Sequence, residues 1–217
     1  MKIVLEKGQR LYFTSDTHYN HTNICRGVSS WDGSRGTRDF DNLNVMNAVL
    51  IDGINALVGE NDILIHMGDW SFGGIESIAN FRNQIVCKNI HLILGNHDHH
   101  IANNRDDVQD LFSSVQQYCY LTIVEQAKSK DEPAEKHRFV LSHYPIASWQ
   151  DMGQGVVHLH GHVHLPKGRR VGSGKMMDVG VDGNDLSPIA LREVLSIMKR
   201  QPIKSMLNFA DHHELNQ

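Results

Sequence analysis

The chain has few cysteines. Its 217 residues hold three, far apart at Cys25, Cys87 and Cys119. An odd, widely spaced set makes neither a disulfide framework nor a CxxC zinc knuckle, so a reducing compartment, the cytoplasm, is expected. Long apolar runs are also missing. None approaches the ~18 residues of a membrane-spanning helix, so no membrane partner is expected. The opening Met1 to Lys7 has an apolar stretch too short for a signal peptide. Positive charge is not in excess: 21 Lys and Arg face 25 Asp and Glu, for a net −4. That balance argues against a protein whose binding rests on a basic nucleic-acid surface. No internal repeat, low-complexity tract or convincing linker divides the sequence. One domain spanning residues 1–217 is the expectation.

Hydrophobic residues make up 40% and charged residues 21%, the balance of a globular chain able to bury a core. Histidine is over-represented. The chain holds 15, about three times the number that a frequency of about 2% would give. Imidazole is the commonest metal ligand and a common general acid or base.

Apolar patterning places the elements. Residues 11–15 read as a buried strand ending at Asp16, 62–67 as a second ending at Gly68-Asp69, and 89–94 as a third ending at Gly95-Asn96-His97-Asp98. Helical spacing over 42–58 and a helix over 75–85 fall between them. Strand, helix, strand, helix, strand predicts a largely parallel central sheet. The second half is β-rich. Strands are expected over 118–124 and 137–141, separated by a polar loop at 125–136, then at 156–160 and 175–181. A closing helix over 186–199 would have Ser187 as N-cap and Pro188 near its start.

Five polar clusters follow predicted strands: Asp16-Thr17-His18, Gly68-Asp69, Gly95-Asn96-His97-Asp98, His143, and Gly161-His162-Val163-His164. Ligands bind just beyond the carboxyl ends of strands in such sheets, so residues distant in sequence can converge there. Carboxylates and imidazoles without a thiolate suit borderline divalent metals such as Mn, Fe and Zn. In order the clusters offer Asp, His, Asp, Asn, His, His and His, seven groups and more than one tetrahedral ion needs, whereas two ions sharing a bridging carboxylate would use them all. Each residue has a plainer reading by itself: Asp16 as a turn or cap residue, Asn96 as a left-handed turn residue, His143 as a packed histidine. Their joint order is what carries weight.

The ordered set DxH, GD, GNHD, H, GHxH, from residue 16 to residue 164, resembles the calcineurin-like metallophosphoesterase superfamily. Residues Asp16 to Ile24 are similar to the DTHxxHxNI opening of a compact bacterial and phage-type subgroup. Val179-Gly180-Val181-Asp182 followed by Ser187-Pro188-Ile189 is similar to that subgroup's ending. The resemblance implies an α/β fold: a β-sandwich of mixed sheets flanked by helices, in four α/β/β/α layers. It implies a metal-dependent phosphoesterase with two divalent ions. Asp16, His18 and His164 would bind the first, and Asn96, His143 and His162 the second, with Asp69 bridging. A hydroxide held between the ions would attack phosphorus, and His97 would act as general acid. Asp98 would orient His97 or a neighbouring ligand.

Other candidates stand outside the ordered set. His21, three residues beyond His18, would reach the substrate phosphate or bond a ligand. Arg26, Arg35 and Arg38 lie in a Gly/Ser-rich stretch, and Arg38 is the best substrate-binding candidate, since Arg38-Asp39-Phe40 matches an R-x-F element of the subgroup. Trp31 and Trp70 would border the pocket. His66 and His91 read as strand histidines, packed or hydrogen-bonded, while His158 and His160 share the parity of His162 and His164 and read as strand residues that support the site or have no role in it. His99 and His100 would line the entrance or be solvated, and His212 and His213 sit in a polar tail. The expected substrate is a small phosphodiester or nucleotide, phosphodiester cleavage being favoured over monoester cleavage, and duplex nucleic acid is disfavoured by the acidic balance. Two alternatives stay open: a non-catalytic scaffold with this fold, and a nuclease acting on single-stranded ends. A mononuclear zinc hydrolase would leave Asp69 and Asn96 unexplained, and no HExxH element is present.

Overall fold

The computed structural model describes residues 1–30, 38–126 and 133–204. Trp31, Arg35, His212 and His213 lie outside the described residues. Two five-stranded sheets form the centre. The first contains β2 (Leu11–Thr14), β3 (Ile63–His66), β4 (Asn89–Ile93) and β5 (Ser114–Gln116), all parallel. Helices α1 (Leu43–Asn55) and α2 (Gly74–Gln84) make the crossovers between β2, β3 and β4. Asn42 caps α1 by accepting the Val45 N–H at 3.0 Å. The sheet gains an antiparallel edge from β10 (Ile189–Ala190), paired with β2.

The second sheet runs in the order β1 (Lys2–Leu5), β6 (Tyr118–Glu125), β7 (Glu135–Ser142), β8 (Val157–His160), β9 (Met176–Asp178). Only the β6–β7 pair is antiparallel. The core lies between the sheets because the strands alternate. Leu11 and Phe13 of β2, Ile63 and Ile65 of β3, Leu121 and Ile123 of β6, and Phe139 and Leu141 of β7 meet there. The opposite faces of β2, β3 and β4 are apolar too, through Tyr12, Leu64, Ile90 and Leu92, and they bury Ile54 of α1 and Ile78 and Phe81 of α2. Strands covered on both sides read as continuous apolar runs, which is why periodicity located them. The outer face of the second sheet is closed by Ile146, Trp149 and Met152 over Tyr120, Val140 and Met176. The fold is the expected pair of mixed sheets flanked by helices.

The closing helix is shorter than the sequence suggests. It is α3, which spans Leu191–Lys199 with Ala190 at its N-cap. Residues 189–190 pair with β2 as β10 instead, so Ser187 and Pro188 precede a strand, and the Ser187 hydroxyl bonds the Asp185 carbonyl. The expected strand at 175–181 is likewise cut to β9, with a 3-10 turn at Val181–Gly183. β1 was not expected. It is an edge strand of four residues in which only Ile3 and Leu5 are buried.

Candidate metal centre

The five polar clusters follow β2, β3, β4, β7 and β8. The loops they occupy bend sharply. Asp16, His18, Asp69, His162 and His164 all have positive φ, between 46° and 72°. For a residue with a Cβ this costs of order 1–2 kcal/mol, and such conformations gather at functional sites. Asn20 shares the left-handed conformation at φ 64°, which asparagine tolerates better than most residues. Two glycines are required by close approach. A Cβ at Gly95 would collide with the Asp69 carboxylate, and one at Gly161 would collide with that of Asp16. The glycines of GNHD and GHxH thus make room for the two buried acids.

The clusters converge. Ligand atoms of Asp16, His18 and His164 lie within 4.8 Å of one another, as do those of Asp16, Asp69 and His143. Asp69 Oδ2 is 3.4 Å from His18 Nε2 and 3.5 Å from His143 Nε2, between the two groups. Asn96 Oδ1 lies 3.0 Å from His143 Nε2 and 2.9 Å from His162 Nδ1. All seven residues that the sequence singled out as ligands therefore meet at one place. Asp16, His18, Asp69 and His143 are buried, and Asn96 is exposed.

Hydrogen bonding fixes which atoms face inward. His164 donates Nδ1–H to Asp182 Oδ2 at 2.7 Å, and His143 donates Nδ1–H to the Met67 carbonyl at 2.8 Å. As neutral rings, both then turn an Nε2 lone pair into the centre. There His143 Nε2 meets the Asn96 and Asp69 oxygens, and His164 Nε2 meets His18 Nε2 at 3.1 Å and Asp16 Oδ1 at 3.7 Å. His18 Nδ1 is buried without a hydrogen-bond partner among the described residues. Acceptors facing acceptors repel unless a cation lies among them, so the donor set fits divalent metals. Without a metal, protons would share that place: against the lowering effect of burial, hydrogen bonds to Asp69 and Asp182 raise His143 and His164. Asp16 and His18 respond to burial itself. Burial, only partly offset by His164 and His143, pushes Asp16 up to about 7. Burial also holds His18 well below the usual histidine value. A dication would reverse the first effect and use the neutral ring left by the second.

Around this core, some residues sit elsewhere than expected. Asp98 is buried beneath the centre and accepts three backbone N–H groups, from Asp69 and Gly95 at 2.8 Å and Trp70 at 2.9 Å. Of the two partners expected for it, His97 or a neighbouring ligand, it takes the second: it grips the Asp69 loop and not the His97 ring. His97 is exposed, and its backbone N–H donates to Asp69 Oδ1 at 2.9 Å. Its ring lies 5.4 Å from His18 and 4.7 Å from Phe72. The His21 ring stacks on Phe72, 3.6 Å between centroids, and lies 6.1 Å from His97. Arg38 is buried and engaged with the protein: it pairs with Asp182 and donates to the Asp16 and Thr17 carbonyls. Buried and with its donors committed inward, it is part of the protein's frame and is not displayed at the surface as the substrate-binding reading requires.

Trp70 is wholly buried in the apolar layer between the first sheet and α2, so it packs behind the site and does not border it. His66, also buried, accepts the Gly68 N–H on Nδ1 and donates Nε2–H to Thr17 Oγ1 at 2.9 Å. Thr17 in turn donates to the Trp70 carbonyl, so one neutral ring ties the Asp16 and Asp69 loops together. Asp182, His66 and Phe72 escaped sequence reasoning as site residues. None stands in a cluster with ligand spacing, and Asp182 meets Arg38 across 144 positions. A third acid–histidine group, Glu125, Glu135 and His137, sits apart on the β6–β7 hairpin.

The profile of the calcineurin-like phosphoesterase family matches residues 9–182, and the chain belongs to that family. The family's activity is metal-dependent phosphoester hydrolysis, and the Asp and His groups described above can bind metal. The uncharacterized protein MJ1445 of Methanocaldococcus jannaschii is 23% identical over 203 residues, covering 92% of this chain and 97% of that one. A crystal structure of a protein of unknown function, AQ665 from Aquifex aeolicus, shares the fold. It has a TM-score of 0.58 at 20% identity, covering 88% of this chain and all of that one. Among the described residues no helix is long and apolar enough to cross a membrane.

Proposed function

We propose that the chain is a dinuclear metal-dependent phosphoesterase of the cytoplasm that hydrolyses small phosphodiesters or nucleotides. The observation that carries this reading is the convergence of side-chain nitrogen and oxygen atoms from His143, His164, Asn96, Asp16 and Asp69 at one centre, with both imidazoles oriented from behind. Asp16, His18 and His164 would hold one ion and Asn96, His143 and His162 the other, with Asp69 shared. When bound, such a pair lowers the pKa of water towards neutrality and draws charge from the phosphoryl oxygens.

The chain's own groups do the rest. Asp98 and His66 fix the loops that carry Asp69 and Asp16 before substrate arrives, so little reorganisation is needed at the moment of reaction. His97 is solvent-exposed beside the ligands, with its backbone anchored to Asp69. It would protonate the leaving oxygen, a role expected to contribute about 10²–10⁴-fold. The His21–Phe72 stack forms a flat wall beside His97, suited to a planar leaving group. The net charge of −4 favours small substrates over duplex nucleic acid.

The reading is tested by loading the full chain with Mn(II) and comparing hydrolysis of bis-p-nitrophenyl phosphate with that of p-nitrophenyl phosphate. Two bound equivalents and faster diester cleavage are expected. Less than one equivalent with no turnover would identify a binding scaffold. Activity confined to oligonucleotide ends would identify a nuclease.

A further inference from the structure

Arg38 starts from a fixed place. Its backbone N–H donates to Ile24 O and its carbonyl accepts from Arg26, so the strand-like contact pins residue 38 to the segment following the Asp16–His18 loop. From there the guanidinium makes four hydrogen bonds. Nε and Nη2 fork onto the two Asp182 oxygens at 2.9 and 3.0 Å. Nη2 also reaches the Asp16 carbonyl at 2.6 Å, and Nη1 reaches the Thr17 carbonyl at 2.7 Å. A planar fork is the geometry in which Arg cannot be replaced by Lys without loss. Asp182 passes the constraint on, since the same Oδ2 accepts the His164 Nδ1–H at 2.7 Å.

We propose that Arg38 and Asp182 form a brace that sets the metal affinity of one half of the centre alone, the half made by Asp16, His18 and His164. Its hydrogen bonds, among the described residues, run to Asp16, Thr17 and His164 and to none of Asp69, Asn96, His143 or His162. Asp182 orients the His164 ring and makes it a better donor, while Arg38 fixes both Asp182 and the backbone of the loop bearing two further ligands. Both are positioning residues. The inference rests on the dinuclear reading above.

The test is a calorimetric titration of the metal-free full chain with Mn(II), paired with electron paramagnetic resonance to separate isolated from coupled Mn(II). Wild type should show two binding events and a coupled pair. Asp182→Asn should weaken one event by about 10–100-fold, the usual effect of losing such an outer partner, and leave the other within about threefold. At intermediate Mn(II) the isolated-ion signal should replace the coupled one. Arg38→Lys, which keeps the charge and loses the fork, should move the same event in the same direction, and it carries the test if Asp182→Asn does not fold by circular dichroism. Equal weakening of both events, or of neither, overturns the brace. A wild-type chain that never takes a second equivalent contradicts the dinuclear reading itself, before any variant is compared.

Discussion

His164 is oriented by a carboxylate and His143 by a backbone carbonyl, at nearly the same distance: 2.7 Å to Asp182 and 2.8 Å to Met67 O. The two halves of the proposed centre follow that division. Around Asp16, His18 and His164 the support is a chain of charged side chains, Arg38 to Asp182 to His164. Around Asp69 and His143 it is main chain: Met67 O holds the ring, and Asp98 takes the N–H groups of Asp69, Trp70 and Gly95. A carboxylate makes its imidazole more basic and can be removed by one substitution. A carbonyl belongs to β3's exit and cannot. Asp182 meets the demand from both sides: burial would raise its carboxyl, but the His164 hydrogen bond and the Arg38 charge hold it far below the usual range. The comparison teaches that one half can be tuned by single residues while the other is built into the sheet.

The sharpest break should come where the halves join. Asp69→Asn should strip both ions and bring turnover to background, measured as metal content and diester hydrolysis on one preparation; retention of one full equivalent would mean that Asp69 serves a single half. Next in size is His97→Ala, which touches neither half's support. It should lower turnover about 10²–10⁴-fold with two equivalents still bound, and lost metal in this variant would move His97 among the ligands. His21→Ala should be milder. Removing one face of the stack on Phe72 should change KM for aryl or nucleotide diesters about two- to tenfold, the range of an aromatic pair worth ~0.5–1.5 kcal/mol. KM for a dialkyl diester should stay put, and an equal shift for both substrates would remove the stack from recognition.

The smallest effect lies on β8, whose exit carries His162 and His164. His158 gives Nδ1–H to the Val140 carbonyl and accepts the Ile146 N–H on Nε2, and burial lowers its pKa to about 4. Between pH 6.5 and about 4 the unfolded chain therefore binds the extra proton and the fold does not. The stabilising contribution is whole above pH 6.5 and declines as pH falls towards 4. Nuclear magnetic resonance should find the ring neutral at pH 5.5, and His158→Gln should flatten the pH dependence of urea stability in that window. An ordinary midpoint near 6.5 would contradict the buried, doubly bonded ring.

Much of the site could be read from sequence because each candidate ligand stands where a continuous apolar run stops. β2, β3, β4, β7 and β8 were visible through burial on both faces, and polar clusters at their exits could be ordered without a structure. The supports could not be read this way. Arg38 sits in a Gly/Ser-rich stretch where it reads as a substrate contact, and only its approach to Asp182, 144 positions away, shows its guanidinium turned inward. Asp98 lies next to His97 in sequence but faces the other way, into the Asp69 loop. The end of the chain misled for a different reason. Leu186 to Lys199 has helical spacing, but the edge of β2 offers backbone partners to Ile189 and Ala190, and sheet pairing there displaces the first turns. β1 carries too short an alternation to declare itself.

Anomalous scattering from a crystal of the Mn(II)-loaded chain tests the central claim most directly. Two peaks are predicted, one against Asp16, His18 and His164 and one against Asn96, His143 and His162, with the Asp69 carboxylate between them. A single peak, or peaks only at Glu125, Glu135 and His137 on the β6–β7 hairpin, would contradict it.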